Sequence, residues 1–468
     1  MDNSKPQIIL GEKERIRREY MLKGPALRVL IAISLPLVFY NCLNQCFQFL
    51  DTLIAADISS SVVSAVSFIQ QLQTMLLATG HALAVGGGII ISRYYGAGDM
   101  DNVSKYISTL FFTGCSVALT ILCIFVPLAK QFLIIMNMPS DLIPEGTTYF
   151  RIEICSLVAV FINTIYLATE KARGNTKKIM YYNLLVLFSK TLLTLLFVYK
   201  IKKDIIMLAL ATLLSHSVLT AIAVINLSSR KNVFQVSIKK MSFRWNVIKP
   251  IITLSLPIFL EKFVFAFGKA IVNSMAANYG SLIVGALGVS NRLGGCATTP
   301  PQGVQEAEST LISQNVGADN KKRAVEFFFK TALVIMSMGV FFLILMFNCK
   351  DLLINLFAKG NQEFAYEISK IYHYEIWGSI FLAAGTTVQG MLYGFGFTRL
   401  AMILNIVRLF GYRIPTLWYI QNMTSLGSEG VGLTMFISNA LYGITTIITS
   451  FFVIRKLIKE IKAAKKSN

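Results

Sequence analysis

The chain is written twice. Ser34-Leu35-Pro36 recurs as Ser255-Leu256-Pro257 (255 − 34 = 221), and Ile91-Ser92 followed by Gly96-Ala97 recurs as Ile312-Ser313 followed by Gly317-Ala318 (313 − 92 = 221). A third landmark, Gly174-x-Thr176 with Met180 and Asn183, reappears as Gly396-x-Thr398 with Met402 and Asn405 (396 − 174 = 222), and Glu153-Ile154 is echoed by Glu375-Ile376 at the same offset. Such a sequence has to build one supersecondary unit twice. When the repeated segments are apolar, parallel halves are the pattern of a transporter whose two lobes enclose a site.

The segments are apolar. With 54% hydrophobic and only 15% charged residues, the chain carries too much apolar side chain for a water-facing surface. Runs of about 20 apolar residues, enough to cross roughly 30 Å of hydrocarbon, are predicted near 28–53, 60–91, 105–129, 147–170, 180–200, 204–227, 248–277, 283–313, 325–347, 366–392, 400–420 and 430–454. The expected fold is therefore an all-α integral membrane protein of about twelve transmembrane helices in two six-helix lobes. Its divisions are an amphipathic leader at 1–27, an N-lobe at 28–227, a linker at 228–248, a C-lobe at 249–455 and a basic tail at 456–468.

A net charge of +20 admits a nucleic-acid partner, but the distribution of the basic residues argues for topology instead. Arg15, Arg17, Arg18 and Lys23 in the leader, Arg230, Lys231, Lys239, Lys240 and Arg244 in the linker, and Lys459, Lys462, Lys465 and Lys466 in the tail fall on one side if both termini are cytoplasmic. They read as orientation signals and contacts to anionic lipid of the cell membrane. Lys200, Lys202 and Lys203 are the exception, on the outer side. The leader is charged through Lys23 and Arg28, so no cleavable signal peptide is expected. The seven cysteines lie almost all in apolar stretches without C-x-x-C spacing, which indicates packing, and the three histidines are scattered, so no metal site is expected.

Pro36 and its mate Pro257 fall near the start of the first helix of each lobe, where a missing N–H costs little, or deeper, where it kinks the helix. The run from Gly80 to Gly88 suits close helix packing in lipid. Pro300-Pro301-Gln302-Gly303 at the matching place predicts a broken or bent helix. Charge inside a span is costly unless it meets water or a partner, and Asp51 sits deep in the first span. Its repeat mate is Val272 (51 + 221), so the scaffold does not require an acid there. Asp51 is accordingly the candidate ion-coupling group, the alternative being a buried structural salt bridge.

Gly24-Pro25, Leu35-Pro36, Phe47-x-x-x-Asp51-Thr52, Ile91-Ser92-x-x-x-Gly96-Ala97-Gly98-Asp99 and Arg173-Gly174-x-Thr176 resemble the multidrug and toxic compound extrusion (MATE) family, as do Ser313-Gln314-x-x-Gly317-Ala318 and the stretch from Arg408 to Pro415. The resemblance runs from Gly24 to about Arg455. It implies a V-shaped pair of six-helix lobes that alternates its opening and exports organic compounds against an inward flow of H⁺ or Na⁺, with no other cofactor. The family's first-helix acid matches Asp51. Its fifth-helix Asn and Asp fall on Lys190 and Thr194, which do not match, so Lys190 reads either as a cation tethered opposite Asp51 or as a residue paired elsewhere. One branch's seventh-helix Glu falls on Phe265, with Glu261 one turn earlier, and its tenth-helix acid falls in the apolar region of Leu382 and Ala383.

The halves differ most in their charges. Tyr40 matches Glu261, Gln48 matches Lys269 and Asp51 matches Val272. The candidate cleft set is Gln48, Asn183, Glu261, Lys269, Arg292, Arg408 and Arg413. The mixture fits recognition of an anionic or zwitterionic substrate, or a set of internal ion pairs. The reading is a small-molecule antiporter embedded in the bilayer as a monomer, with a flippase or exporter of lipid-linked saccharide or another amphipathic anion as the alternative. A membrane enzyme would need a cluster of His, Asp or Glu near one membrane face, and none stands out; nothing resembles a channel's selectivity filter.

Overall fold

The computed structural model describes residues 11–467 other than 59, 137, 139–142, 203, 230, 231, 233 and 359; within helices, the side chains of 49–53, 55–58, 60–65, 67, 68, 281 and 464–467 are outside the description. The leader forms α1 (Glu12–Lys23). The first repeat follows as α2 (Ala26–Ile58), α3 (Ser60–Ala97), α4 (Met100–Phe125), the short α5 (Ala129–Ile135), α6 (Ile143–Ala172), α7 (Thr176–Leu196) and α8 (Ile205–Ser228). The second repeat comprises α9 (Trp245–Ala276), α10 (Ser281–Gly317), α11 (Lys321–Ala358), α12 (Gln362–Phe395), α13 (Thr398–Ile406), α14 (Ile414–Met423) and α15 (Glu429–Ser467). A π-helical stretch, Val407–Arg413, joins α13 to α14.

Ten of these segments, with α13 and α14 taken as one, are long and apolar enough to cross a membrane. The remaining two predicted spans are α10 and α12 (10 + 2 = 12), which are long enough but more polar. Their polarity is turned inward. α10 buries Glu308, Ser313, Gln314 and Asn315, and α12 buries Ser379 and Thr387, on faces that pack against each other and their neighbours. α10 runs unbroken through Pro300 and Pro301, so of the broken or bent helix expected from sequence the break does not occur.

Two of the repeated landmarks, the Gly-Ala and the Gly-x-Thr motifs, are helix ends. Gly174 and Gly396 both adopt a left-handed backbone, with φ of +73° and +81°, and Gly396 caps α12 with its N–H directed to the carbonyls of Leu392 and Tyr393. At the other landmark, Gly98 (φ +84°) is matched 221 residues on by Asp319 (φ +56°), a short polar residue that tolerates this region. The next residue caps the following helix in both halves: Asp99 Oδ1 accepts from the N–H of Asn102 at 3.0 Å, and Asn320 Oδ1 from that of Arg323 at 3.2 Å. The duplication therefore conserves the local chemistry that stops one helix and starts the next.

Between α7 and α8 the chain turns within a few residues. Lys202 donates to Asp204 Oδ2 at 2.8 Å, and Asp204 also caps α8 through the N–H of Ile206. The hydrogen bond from Lys202 holds the Asp204 carboxyl below the usual carboxylate range. One of the basic residues that broke the expected charge asymmetry is thus paired locally.

Contacts group the chain into two compact units, and the boundary cuts through two helices. One unit comprises Met1–Leu22 and Leu43–Phe259, the other Lys23–Cys42 and Leu260–Asn468. The first half of α2 therefore packs with the second repeat, and the first half of α9 with the first. Glycines mark both places. In the first unit, a Cβ on Gly86 of α3 would lie 2.9 Å from the Ser255 nitrogen of α9; in the second, a Cβ on Gly303 of α10 would lie 2.6 Å from the Val38 nitrogen and 2.8 Å from the Leu37 carbonyl carbon of α2. These are contacts with backbone, which cannot rotate away, and both lie beside the intrahelical prolines Pro257 and Pro36. Gly303→Val is expected to destabilise the second unit by about 1–3 kcal/mol through overpacking, read as a lower midpoint in detergent thermal unfolding. An unchanged midpoint would refute the contact.

The first unit closes around Ile69, Phe150, Ile154, Leu157 and Phe161, with Phe132 stacked on Phe150 at 5.6 Å. A satellite core around Tyr166 and Leu219 lies where α6 meets α7 and α8. The second unit closes around Val272, Leu287, Ile371, Tyr372 and Leu409.

Candidate functional site

The candidate residues separate between the two units: Gln48, Asp51, Asn183 and Lys190 in the first, Glu261, Lys269, Arg292, Arg408 and Arg413 in the second. In the first unit, Phe47 of α2 packs edge-on against Phe188 of α7, with ring centroids 5.3 Å apart, so the two helices run side by side there. Gln48 is exposed and Asn183 half-buried. Asp51 lies on α2, and its side chain is outside the described residues.

Lys190, half-buried on α7, acts electrostatically on Glu153 of α6 and on His216 of α8. Glu153 is buried, and its Oε2 accepts from Gln73 Nε2 at 2.7 Å and from Ser156 Oγ at 3.3 Å. An acid held by neutral side-chain donors, Gln73, Ser156 and Tyr149, and facing a lysine belongs to any account of this unit. Sequence reasoning used Glu153 only as a landmark of the repeat. The signal was available, because an acid inside a span that recurs at the same place in both halves is costly twice over.

The second copy of that acid is Glu375 on α12, seven residues before the apolar stretch at Leu382 (382 − 375 = 7). It accepts a hydrogen bond from Ser290 of α10 and lies within electrostatic reach of Arg413, Lys269 and Arg408. Both halves thus set a glutamate of their fourth span against basic residues of their fifth.

Arg408 and Arg413 owe their proximity to the π-helical stretch. In a regular α-helix, residues five apart point roughly 140° away from each other. The i→i+5 bonding of a π-helix brings them nearly into line. Pro415 supplies the cause, because it lacks an N–H and its ring clashes with the carbonyl four residues back, at Gly411. Arg408 Nη2 and Arg413 Nη2 then donate to one acceptor, Asn439 Oδ1 of α15, at 2.9 and 2.8 Å, and Arg413 Nε donates to Ser438 Oγ at 3.0 Å. The Arg408 guanidinium carbon lies 5.0 Å from the centroid of the Tyr442 ring and 5.4 Å from that of Phe265.

Lys269 of α9 is exposed, with its ammonium 5.8 Å from the Phe265 centroid. Glu261, eight residues before Lys269 on the same helix, has a different environment. It is buried, accepting from Gln389 Nε2 at 2.5 Å and Tyr393 OH at 2.8 Å, with Lys262 at 3.8 Å. Arg292 is half-buried on α10. Among the described residues, no group of three or more His, Cys, Asp or Glu is placed to hold a metal ion.

The MatE family model matches residues 36–196 and again 257–419, beginning at Pro36 and at its repeat mate Pro257. The multidrug export protein MepA of Staphylococcus aureus (strain MSSA476) is 24% identical over 443 residues, covering 94% of this chain and 93% of its own. The probable multidrug resistance protein YpnP of Bacillus subtilis (strain 168) is 26% identical over 315 residues, covering 64% and 67%. The fold matches a crystal structure of MATE in complex with MaL6, with a TM-score of 0.90 at 17% identity over 94% of this chain and 99% of that one. It also matches an outward-facing multidrug resistance MATE family transporter of the MOP superfamily, with a TM-score of 0.89 at 17% identity over 94% and 98%. With two matched halves, an all-helical fold and the helix-capping landmarks repeated in register, the chain belongs to the MatE family of multidrug efflux transporters and is a multi-pass membrane transporter rather than an enzyme.

Proposed function

We propose that the chain is a secondary active exporter in the cell membrane, with both termini cytoplasmic, that moves organic compounds by alternating access against an inward flow of H⁺ or Na⁺, and that Asp51 is the coupling acid. One observation carries the assignment to Asp51. Its repeat mate, Val272, is 3% exposed in the apolar core of the second unit, so the duplicated scaffold packs a hydrophobic residue where the first repeat has an acid. An acid that packing does not need, in a span where charge is costly, is kept for its chemistry. The family and the export function of MepA support the direction of transport.

The charge of Lys190 is shared with Glu153, so Lys190 acts in coupling through that glutamate and its Gln73 and Ser156 donors. The test is uptake of a fluorescent organic probe, anionic dansylglycine and cationic ethidium in parallel, into inverted membrane vesicles. A proton ionophore stops uptake if H⁺ drives it, and Na⁺ removal stops it if Na⁺ does. Uptake that survives both treatments overturns ion coupling.

A further inference from the structure

The second unit carries more positive charge than its packing uses. Lys269, Arg408 and Arg413 converge with a single carboxylate, Glu375, in electrostatic reach of all three. Glu375 accepts its hydrogen bond from Ser290, not from a cation. The nearby Glu261 is engaged by Lys262, Gln389 and Tyr393. Both guanidiniums end on neutral acceptors, Asn439 and Ser438, and share one oxygen between them. Two like charges brought to one acceptor repel, and more strongly in a medium of low dielectric. A network built only for stability would balance its charges, because unneutralised charge among membrane helices is costly.

Depth adds to the cost. Lys269 lies ten residues before Tyr279, the end of its apolar span (279 − 269 = 10). That is about 15 Å along the helix, so Lys269 is carried inside the apolar segment and not at its end. Lys269 is nonetheless an exposed residue, and Arg408 Nε is buried without a hydrogen-bond partner among the described residues. Phe265 provides an apolar surface beside both cations.

Resting on the transport reading, the structure assigns this cluster as the binding site for amphipathic organic anions: a carboxylate, sulfonate or phosphate held by Lys269 and Arg408, with an aromatic or aliphatic body against Phe265. Arg413 is a positioning residue, fixing Arg408 through their common Asn439. Planar bidentate recognition suits a guanidinium, and the lysine adds a point charge. Soluble organic acids and lipid-linked phosphates share this chemistry.

The purified full-length protein in nanodiscs distinguishes these cases, with dansylglycine as the anionic probe, its trimethylammonium analogue as the cationic one and farnesyl monophosphate as the lipid-linked competitor. Wild type is expected to prefer dansylglycine over the cationic analogue. Lys269→Gln is expected to weaken dansylglycine binding about tenfold, Lys269→Arg to restore most of it, and Arg408→Gln to weaken it further; the cationic probe is unaffected throughout. Binding of farnesyl monophosphate alone, with the same sensitivity to Lys269→Gln, supports the site and assigns it to lipid-linked anions. Equal or stronger binding of the cationic probe overturns the proposal, as does a Lys269→Gln protein that elutes as a monodisperse peak and binds dansylglycine like wild type. Failure of the transport reading is separate: binding as predicted, with no gradient-driven movement of any probe into proteoliposomes, leaves the anion site standing and removes the exporter.

Discussion

Asp51→Asn is expected to reduce gradient-driven transport in proteoliposomes to background, a loss of more than tenfold, while the protein still extracts as a monodisperse species. Asn preserves the size and most of the hydrogen bonding of the side chain. It removes the negative charge and the ability to take up and release a proton, which are the two properties that an H⁺ or Na⁺ antiporter draws on. Folding is spared because the equivalent position of the other repeat is the buried Val272. Facilitated movement of substrate down its own gradient is expected to survive, since the substitution uncouples the cycle without closing it. Wild-type accumulation by Asp51→Asn would sink the assignment, and loss of both driven and downhill movement would show a structural role instead.

The largest effect on stability is expected at Arg173. Its guanidinium is buried and donates to Glu170 from both Nη2 (2.6 Å) and Nε (2.8 Å), to Glu14 of α1 at 2.8 Å and to Asn232 at 3.4 Å, over the ring of Phe234 at 5.0 Å. It ties the leader and the segment after α8 to the end of α6. Arg18 fastens the leader a second time, donating to the carbonyls of Tyr95 and Gly96 at the end of α3. Arg173→Met leaves Glu170 buried with Lys178 at 3.0 Å as its remaining ion-pair partner. Breaking a buried pair costs about 3–5 kcal/mol, and the surviving lysine places this case near 3. A lowered thermal midpoint in detergent, together with faster tryptic cleavage in the leader, is the predicted signature. A change confined to protease sensitivity would mean that Arg173 only anchors α1.

Much of the fold was legible because its signals are local. Apolar length set the solvent, and the repeated Gly-Ala-Gly-Asp and Gly-Ala-Asp-Asn set helix ends that hold within hydrogen-bond distance in both halves. The charged residues were legible as candidates, since charge in a span stands out. Their partners were not. Glu153 and Glu375 were visible only as letters that repeat, and nothing in their neighbourhoods announced Gln73, eighty residues away, or Ser290, eighty-five away. Glu261 and Lys269 lie eight residues apart on one helix, yet one is buried under Gln389 and Tyr393 while the other is exposed beside Phe265.

By itself the sequence determined that the chain lies in a bilayer, that it builds one helical unit twice, and that acid and base are placed unequally between the copies. These follow from hydropathy, capping and offset, which act over a few residues or can be counted along the chain. Only the tertiary structure decided that the boundary between units cuts through α2 and α9, where Gly303 and Gly86 let backbones touch. It also decided that Pro415 and Gly411 open the helix into a π-helical stretch that brings Arg408 and Arg413 to one asparagine. Both depend on which helix lies opposite. A crossing and a shared acceptor belong to two segments at once, and no period within either one records them.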